Sequence, residues 1–251
     1  MKIVSWNCGS GFYTYDKYKK IRELDADIYV IQEVNEPKHT NEEYDEFMKN
    51  SRYLPYFETD NGWDKGIAII AKEHINLDEL HWDYKYNDFL SVRVNDSFNL
   101  VGVWTHDKRK INGKWEKNGK GISEYVKRVA EYLKLYKHEL RTSDNLVMCG
   151  DFNIDITNNK YKNNGKFAHT LKDYGYESIY HKLNNKKLNE KCEPTLYMER
   201  KSGADKEFHV DYLFTKPELV KSFRIGSKDK YIGPAKTDNS DHVPLIFEIN
   251  I

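Results

Sequence analysis

Apolar runs of strand length, each closed by a polar residue, recur from one end of the chain to the other. KIVSWN (2–7), DIYVIQE (27–33), KGIAIIA (65–71), FLSVRV (89–94), FNLVGVWT (98–105), NLVMC (145–149), FHVDYLFT (208–215) and VPLIFEINI (243–251) are short and rich in β-branched and aromatic residues. That pattern predicts buried strands. YLPYFE (53–58) and KSFRIGSK (221–228) read the same way. FLSVRV and FNLVGVWT, separated by Asn95-Asp96-Ser97, predict a hairpin. Helical patterns fall between the runs: 15–25, 40–50, 122–140 and 168–176. In 122–140, Ile122, Tyr125, Val126, Val129, Ala130, Leu133 and Tyr136 make one apolar stripe that faces a core. Strands alternating with helices in some places and paired in hairpins in others predict a mixed-sheet α/β fold. No linker or boundary interrupts it, so 1–251 is expected to be one domain.

Composition narrows the function. Lys plus Arg and Asp plus Glu both number 40, so the formal net charge is zero. A wholly basic coat for nucleic acid is excluded, and any polyanion must be met by local patches or by a metal. Cys8, Cys149 and Cys192 have neither disulfide nor zinc spacing; Cys8 and Cys149 read as packing residues. The longest strongly apolar run, IAIIA (67–71), is far too short for a bilayer, and no signal sequence is visible. A soluble cytoplasmic chain is expected, with no membrane span. No surface marks a dimer, so a monomer is expected.

The polar residues that close the runs carry the chemistry. Asn7, Glu33 and His106 end strands, and Asp151 and Asn153 follow NLVMCG. Asp211 interrupts an apolar strand, and Asp241 and His242 precede the last one. Singly, each has an ordinary reading as a turn former, a cap or a surface group. Asp211 resists it most, because a carboxylate between Val210 and Tyr212 needs a partner once buried. Together they suit metal-assisted phosphodiester hydrolysis. Glu33 with Asn7 and Asp241 offers oxygen ligands to a hard divalent cation such as Mg²⁺ (or Mn²⁺). Asp151 and Asn153, two apart on one strand face, address one water and one phosphate. His242 donates to the developing charge, and Asp211 fixes its tautomer.

WN (6–7), QE (32–33), GDFN (150–153), HVDYLF (209–214) and SDH (240–242), in this order, resemble the endonuclease/exonuclease/phosphatase superfamily. KGIAIIA and EPTLY (193–197) are similar to further segments of it. The resemblance implies a four-layer α/β/β/α sandwich of two packed mixed β-sheets with outer helices. It also implies Mg²⁺ or Mn²⁺ dependence, with Asn7 and Glu33 on the metal side and Asp151 and Asn153 at the water. His106 stands where several branches place a histidine and the abasic-endonuclease branch usually has Tyr. IQEVN also departs from that branch.

Substrate choice falls to the loops. DKRKINGKWEKNGKG (107–121) carries Lys108, Arg109, Lys110 and Trp115, suited to a phosphate backbone and a stacked base. KLNNKKLNEK (182–191) is a second basic candidate. Both read equally as solvated loops. The expectation is a nuclease acting on DNA. The alternatives are a phosphatase or phosphodiesterase on a phospholipid or small phosphorylated molecule, and an inactive binding module on the same fold.

Overall fold

The structure, a computed structural model, describes residues 1–251 except 36–38, 56–64, 83–86, 107, 112–113, 118–121, 158–162, 199–205 and 235; where described, 108–117 and 122–123 are backbone only. In chain order the strands are β1 (Lys2–Asn7), β2 (Ile28–Asn35), β3 (Ser51–Pro55), β4 (Lys65–Ala71), β5 (Leu77–Glu79), β6 (Phe89–Val94), β7 (Phe98–Trp104), β8 (Lys108–Ile111), β9 (Lys114–Lys117), β10 (Leu146–Asp151), β11 (Glu177–Ser178), β12 (Leu196–Met198), β13 (Lys206–Phe208), β14 (Asp211–Thr215), β15 (Val220–Ile225) and β16 (Leu245–Ile249). The helices are α1 (Lys17–Arg22), α2 (Glu42–Met48), α3 (Ile122–Leu135), α4 (Lys137–Thr142), α5 (Lys166–Asp173), α6 (Ile179–Leu183) and α7 (Lys228–Tyr231).

Among the described residues two six-stranded sheets form, ordered β15-β16-β1-β2-β4-β3 and β11-β14-β10-β7-β6-β5. Each has one parallel pair at its centre, β1 with β2 and β7 with β10; the other pairs are antiparallel. A parallel pair needs a crossover, and α1 and α3–α4 supply them. Three apolar layers follow from strand alternation. Ile3, Val30, Ile67, Leu100, Val147, Cys149, Leu213 and Phe247 fill the space between the sheets. Val4, Trp6, Ile31 and Ala68 face the opposite way, under Tyr18, Ile21 and Tyr44. Val101, Met148, Phe152 and Phe214 lie under Val129, Leu133, Phe167 and Leu171. This is the α/β/β/α sandwich expected. Cys8 and Cys149 are buried in it, and burial pushes their thiols up to about 12.

Several elements differ from expectation. The β6–β7 hairpin forms as predicted, with Asn95 and Asp96 at φ 47° and 52°, the left-handed pair that a tight hairpin turn demands. The predicted helix 122–140 is distorted at Tyr136 (φ −97°, ψ 26°), although Tyr136 N→Tyr132 O and Leu140 N→Tyr136 O bonds carry the ladder through. FHVDYLFT is two strands rather than one. Its break at His209–Val210 lets Val210 N and Asp211 N both donate to Thr195 Oγ1, each at 3.1 Å, so a loop side chain replaces a neighbouring strand. Basic loop 107–121 contains a two-stranded ribbon, β8–β9, with Lys110 opposite Trp115.

Candidate active site

The two parallel pairs place their carboxyl ends at the same end of the sandwich, where loops of α/β sheets gather ligands. β1 ends on Asn7, β2 carries Glu33, β7 leads to His106, and β10 ends on Asp151. Strand parity does the rest. Asp151 shares a face with Val147 and Cys149, which point between the sheets, and Asn7 shares one with Ile3. Asp211 opens β14 directly opposite Asp151 in register. The polar groups therefore converge at the open edge of the inter-sheet layer.

Gly150 makes the corner possible. Its φ is 144°, and a Cβ there would lie 2.0 Å from Val103 O. Only glycine allows β10 to approach β7 so closely. Beyond it, Asp151 Oδ1 accepts from Asn153 N at 2.8 Å, a local turn that holds Asn153 at φ 52°. Asn153 Nδ2 donates to Asp151 Oδ2 at 2.9 Å and to Thr105 O at 2.7 Å. Asn7 Nδ2 reaches Asp151 Oδ2 at 2.9 Å from the other sheet, and Glu33 Oε1 at 3.4 Å. Phe152 turns away and packs against Phe167 and Phe214.

His242 faces this carboxylate. Its Nδ1 is 2.9 Å from Asp211 Oδ2 and its Nε2 is 3.9 Å from Asp151 Oδ2. Trp6 Nε1 donates to His242 O at 2.9 Å, and Ser240 Oγ accepts from His242 N, fixing the segment to β1. Burial alone would push the imidazole down, but the anions Asp211 and Asp151 carry it up. Burial drives the Asp151 carboxyl up, as does the Asp211 charge, against His242 and Asn7.

Glu33 sits at a β-bulge between Gln32 and Val34, at φ 61°. The bulge turns an acid out of a buried strand and toward the site. Its Oε2 is ion-paired with Lys65 and accepts from Ser10 Oγ at 3.3 Å. Burial would raise its carboxyl; Lys65 keeps it lowered and ionised.

His106 stacks on Trp104 at 4.6 Å between centroids, with Nδ1 2.6 Å from Asp88 Oδ1. Asp88 and Arg128, both fully buried, complete this arm: Arg128 Nη1 lies 3.1 Å from each Asp88 oxygen. Sequence reasoning missed both residues. The signal was present only for Arg128, a charge at the margin of the apolar stripe of α3.

Not every expected residue joins the cluster. Asp241 is exposed, with its carboxylate turned toward Gly9 and Lys17. Lys108, Arg109, Lys110 and Trp115 lie on the β8–β9 ribbon just after His106, and their side chains are outside the described residues. In the second basic loop, Lys182, Lys186 and Lys187 join Lys172 around a cavity of about 650 Å³.

The endonuclease/exonuclease/phosphatase family model matches residues 4–230, nearly the whole chain. The chain belongs to the endonuclease/exonuclease/phosphatase family. No curated protein matches it. Similar solved structures include the 3′-5′ exonuclease NExo from Neisseria meningitidis (16% identity, 100% of both chains, TM-score 0.68). An AP endonuclease from Archaeoglobus fulgidus gives 15% identity over 100% of both chains and a TM-score of 0.67. TDP2 from D. rerio, complexed with single-strand DNA product, gives 14% identity over 100% of this chain and 99% of that one, with a TM-score of 0.59. At these identities the likeness establishes the fold. Members of this family are divalent-metal-dependent phosphodiesterases and nucleases.

The residues present fit such a metal. Ligand atoms of Asp151, Asp211 and His242 lie within 4.8 Å of one another, and Asn7 links Asp151 to Glu33. Beside that group, Glu33 offers an ionised carboxylate, the oxygen ligand a hard cation requires. Asn7 itself turns Nδ2 to the carboxylates and gives its oxygen to Gly9 N at 2.9 Å. Glu33 would hold such a cation, with Asn7 linking it to Asp151.

Proposed function

We propose that the chain is a nuclease that hydrolyses DNA phosphodiesters with Mg²⁺ or Mn²⁺. One observation carries this reading: Asp151 and the Asp211-held His242 face each other across 3.9 Å at the open edge of the sandwich. A base and a proton donor poised on one spot suit in-line attack of water on phosphorus.

Asp151 takes the proton of the attacking water, and Asn153 with Asn7 fixes the orientation of its carboxylate. His242 donates from Nε2 to a phosphoryl oxygen as negative charge grows there. Asp211 holds the Nδ1 proton, so the ring presents the correct nitrogen. His106, fixed by Asp88 at the end of β7, supports the phosphate from the same sheet as Asp151. A metal held at Glu33 would supply charge neutralisation at the phosphate and the leaving oxygen. Lys108, Arg109, Lys110 and Trp115 on the β8–β9 ribbon suit the flanking strand, by charge and stacking. DNA is favoured as substrate because similar structures, TDP2 among them, hold a DNA product.

The test is a substrate panel with Mg²⁺: single-stranded, duplex and abasic DNA, RNA, phosphoinositide and sphingomyelin. DNA cleavage that EDTA abolishes and that D151N and H242A each cut by about a hundredfold or more is expected. Turnover of a lipid with no nucleic acid cleaved refutes the nuclease reading. Activity indifferent to EDTA and to both substitutions refutes the mechanism.

A further inference from the structure

We propose that Lys65 is a displaceable counter-ion: it neutralises Glu33 while the metal is away, and the arriving cation drives it off toward the substrate phosphate. The inference rests on the metal-dependent reading above and adds a moving part to it.

Glu33 cannot adapt to a cation by moving its backbone. It is held in a bulge of β2, and strand pairing with β4 continues on both sides of it. Its negative charge is already neutralised by one cation. Oε2 takes the Lys65 ammonium and Ser10, and Oε1 takes Asn7. Ser10 and Asn7 are neutral and are compatible with a cation at the same carboxylate. Lys65 competes with it, because an ammonium and a divalent ion on one carboxylate repel each other.

Lys65 has the freedom to leave. It opens β4, paired with Asn35 two residues beyond Glu33, and its side chain is 36% exposed. Rotation about its side-chain bonds moves the charge into solvent and leaves the strand intact. Lys17, the second lysine near Glu33, lacks that freedom. It is 0% exposed, and its ammonium is bonded to Cys8 O inside the protein. One lysine is therefore a fixture and the other a placeholder. An ammonium released at the mouth of a phosphodiesterase site meets an anionic substrate next.

Acetylation of the full chain, read lysine by lysine by mass spectrometry with EDTA or saturating Mg²⁺, tests the displacement directly. Lys65 labelling is expected to rise several-fold with Mg²⁺, while Lys17 stays protected and surface lysines are unchanged. Mn²⁺ affinity, measured by electron paramagnetic resonance, is expected to increase several-fold in K65Q. Labelling of Lys65 that ignores Mg²⁺, or equal or weaker Mn²⁺ affinity in K65Q, overturns the proposal. Wild-type protein that binds no Mn²⁺, or binds it as well after E33Q, overturns the metal reading as well. These failures are distinct, and the labelling arm needs no variant to fold.

Discussion

As the proposed base, Asp151 must be ionised to act and yet keep an appetite for protons. Burial, with the Asp211 charge beside it, raises its carboxyl above the usual carboxylate range, which makes it a stronger base than an exposed aspartate. The active form is the anion, so kcat/KM should rise with pH as Asp151 loses its proton. The acid limb of the pH profile at fixed Mg²⁺ is expected above the usual carboxylate range; a limb near pH 4 contradicts this origin. D151N should lower kcat by about 10²–10⁴ with little change in KM, as steady-state kinetics will show. The Asp88–Arg128 pair gives a stability prediction. Breaking a buried pair strands the remaining charge, so D88N should cost about 3–5 kcal/mol by urea denaturation. Residues of the site differed sharply in legibility. Asp211 stood out because an acid inside an apolar strand needs a partner. Asp88 did not, because it lies in a polar stretch, YKYND, that reads as turn, and its partner is 40 positions away. Lys65 resembled any lysine at a strand start; only the β2 bulge reveals what it faces.

At the scale of elements, GDFN is a close contact as much as a motif. Gly150→Ala forces a methyl into Val103 O and demands φ 144° of a residue with a side chain. A loss of about 2–4 kcal/mol is expected from equilibrium unfolding, with activity falling because β10 must retreat from β7. A neutral G150A would show that β7 and β10 tolerate more space. The strands were legible from their apolar runs, and parity along β10 placed Asp151 and Phe152 on opposite sides correctly. The interruption between β13 and β14 was not legible, since Thr195 Oγ1 substitutes for a strand only after distant segments have folded together. The distortion at Tyr136 was hidden for a similar reason: the apolar stripe continues across it without a Gly or Pro.

For the molecule as a whole, α6 carries a pH sensitivity. His181 is buried between Ser178 Oγ at 2.8 Å and Cys192 Sγ at 3.1 Å, and burial lowers its pKa to about 4. The unfolded chain protonates this ring near 6.5, so it binds more protons than the folded one between those values. Stability is full above about 6.5 and is lost as pH falls toward 4. The loss from this group between pH 7 and pH 5 is about 2 kcal/mol. Urea midpoints at the two pH values should show it, and His181→Asn should flatten the difference. The active site adds a second global property. Asn7 and His242 arrive with one sheet, Asp151 and Asp211 with the other, and their hydrogen bonds span the gap. Catalysis is therefore a gauge of alignment between two rigid plates. A sideways slip smaller than one strand spacing, harmless to an oily interface, would separate the proposed base from the proposed acid and silence that mechanism while every strand remained paired.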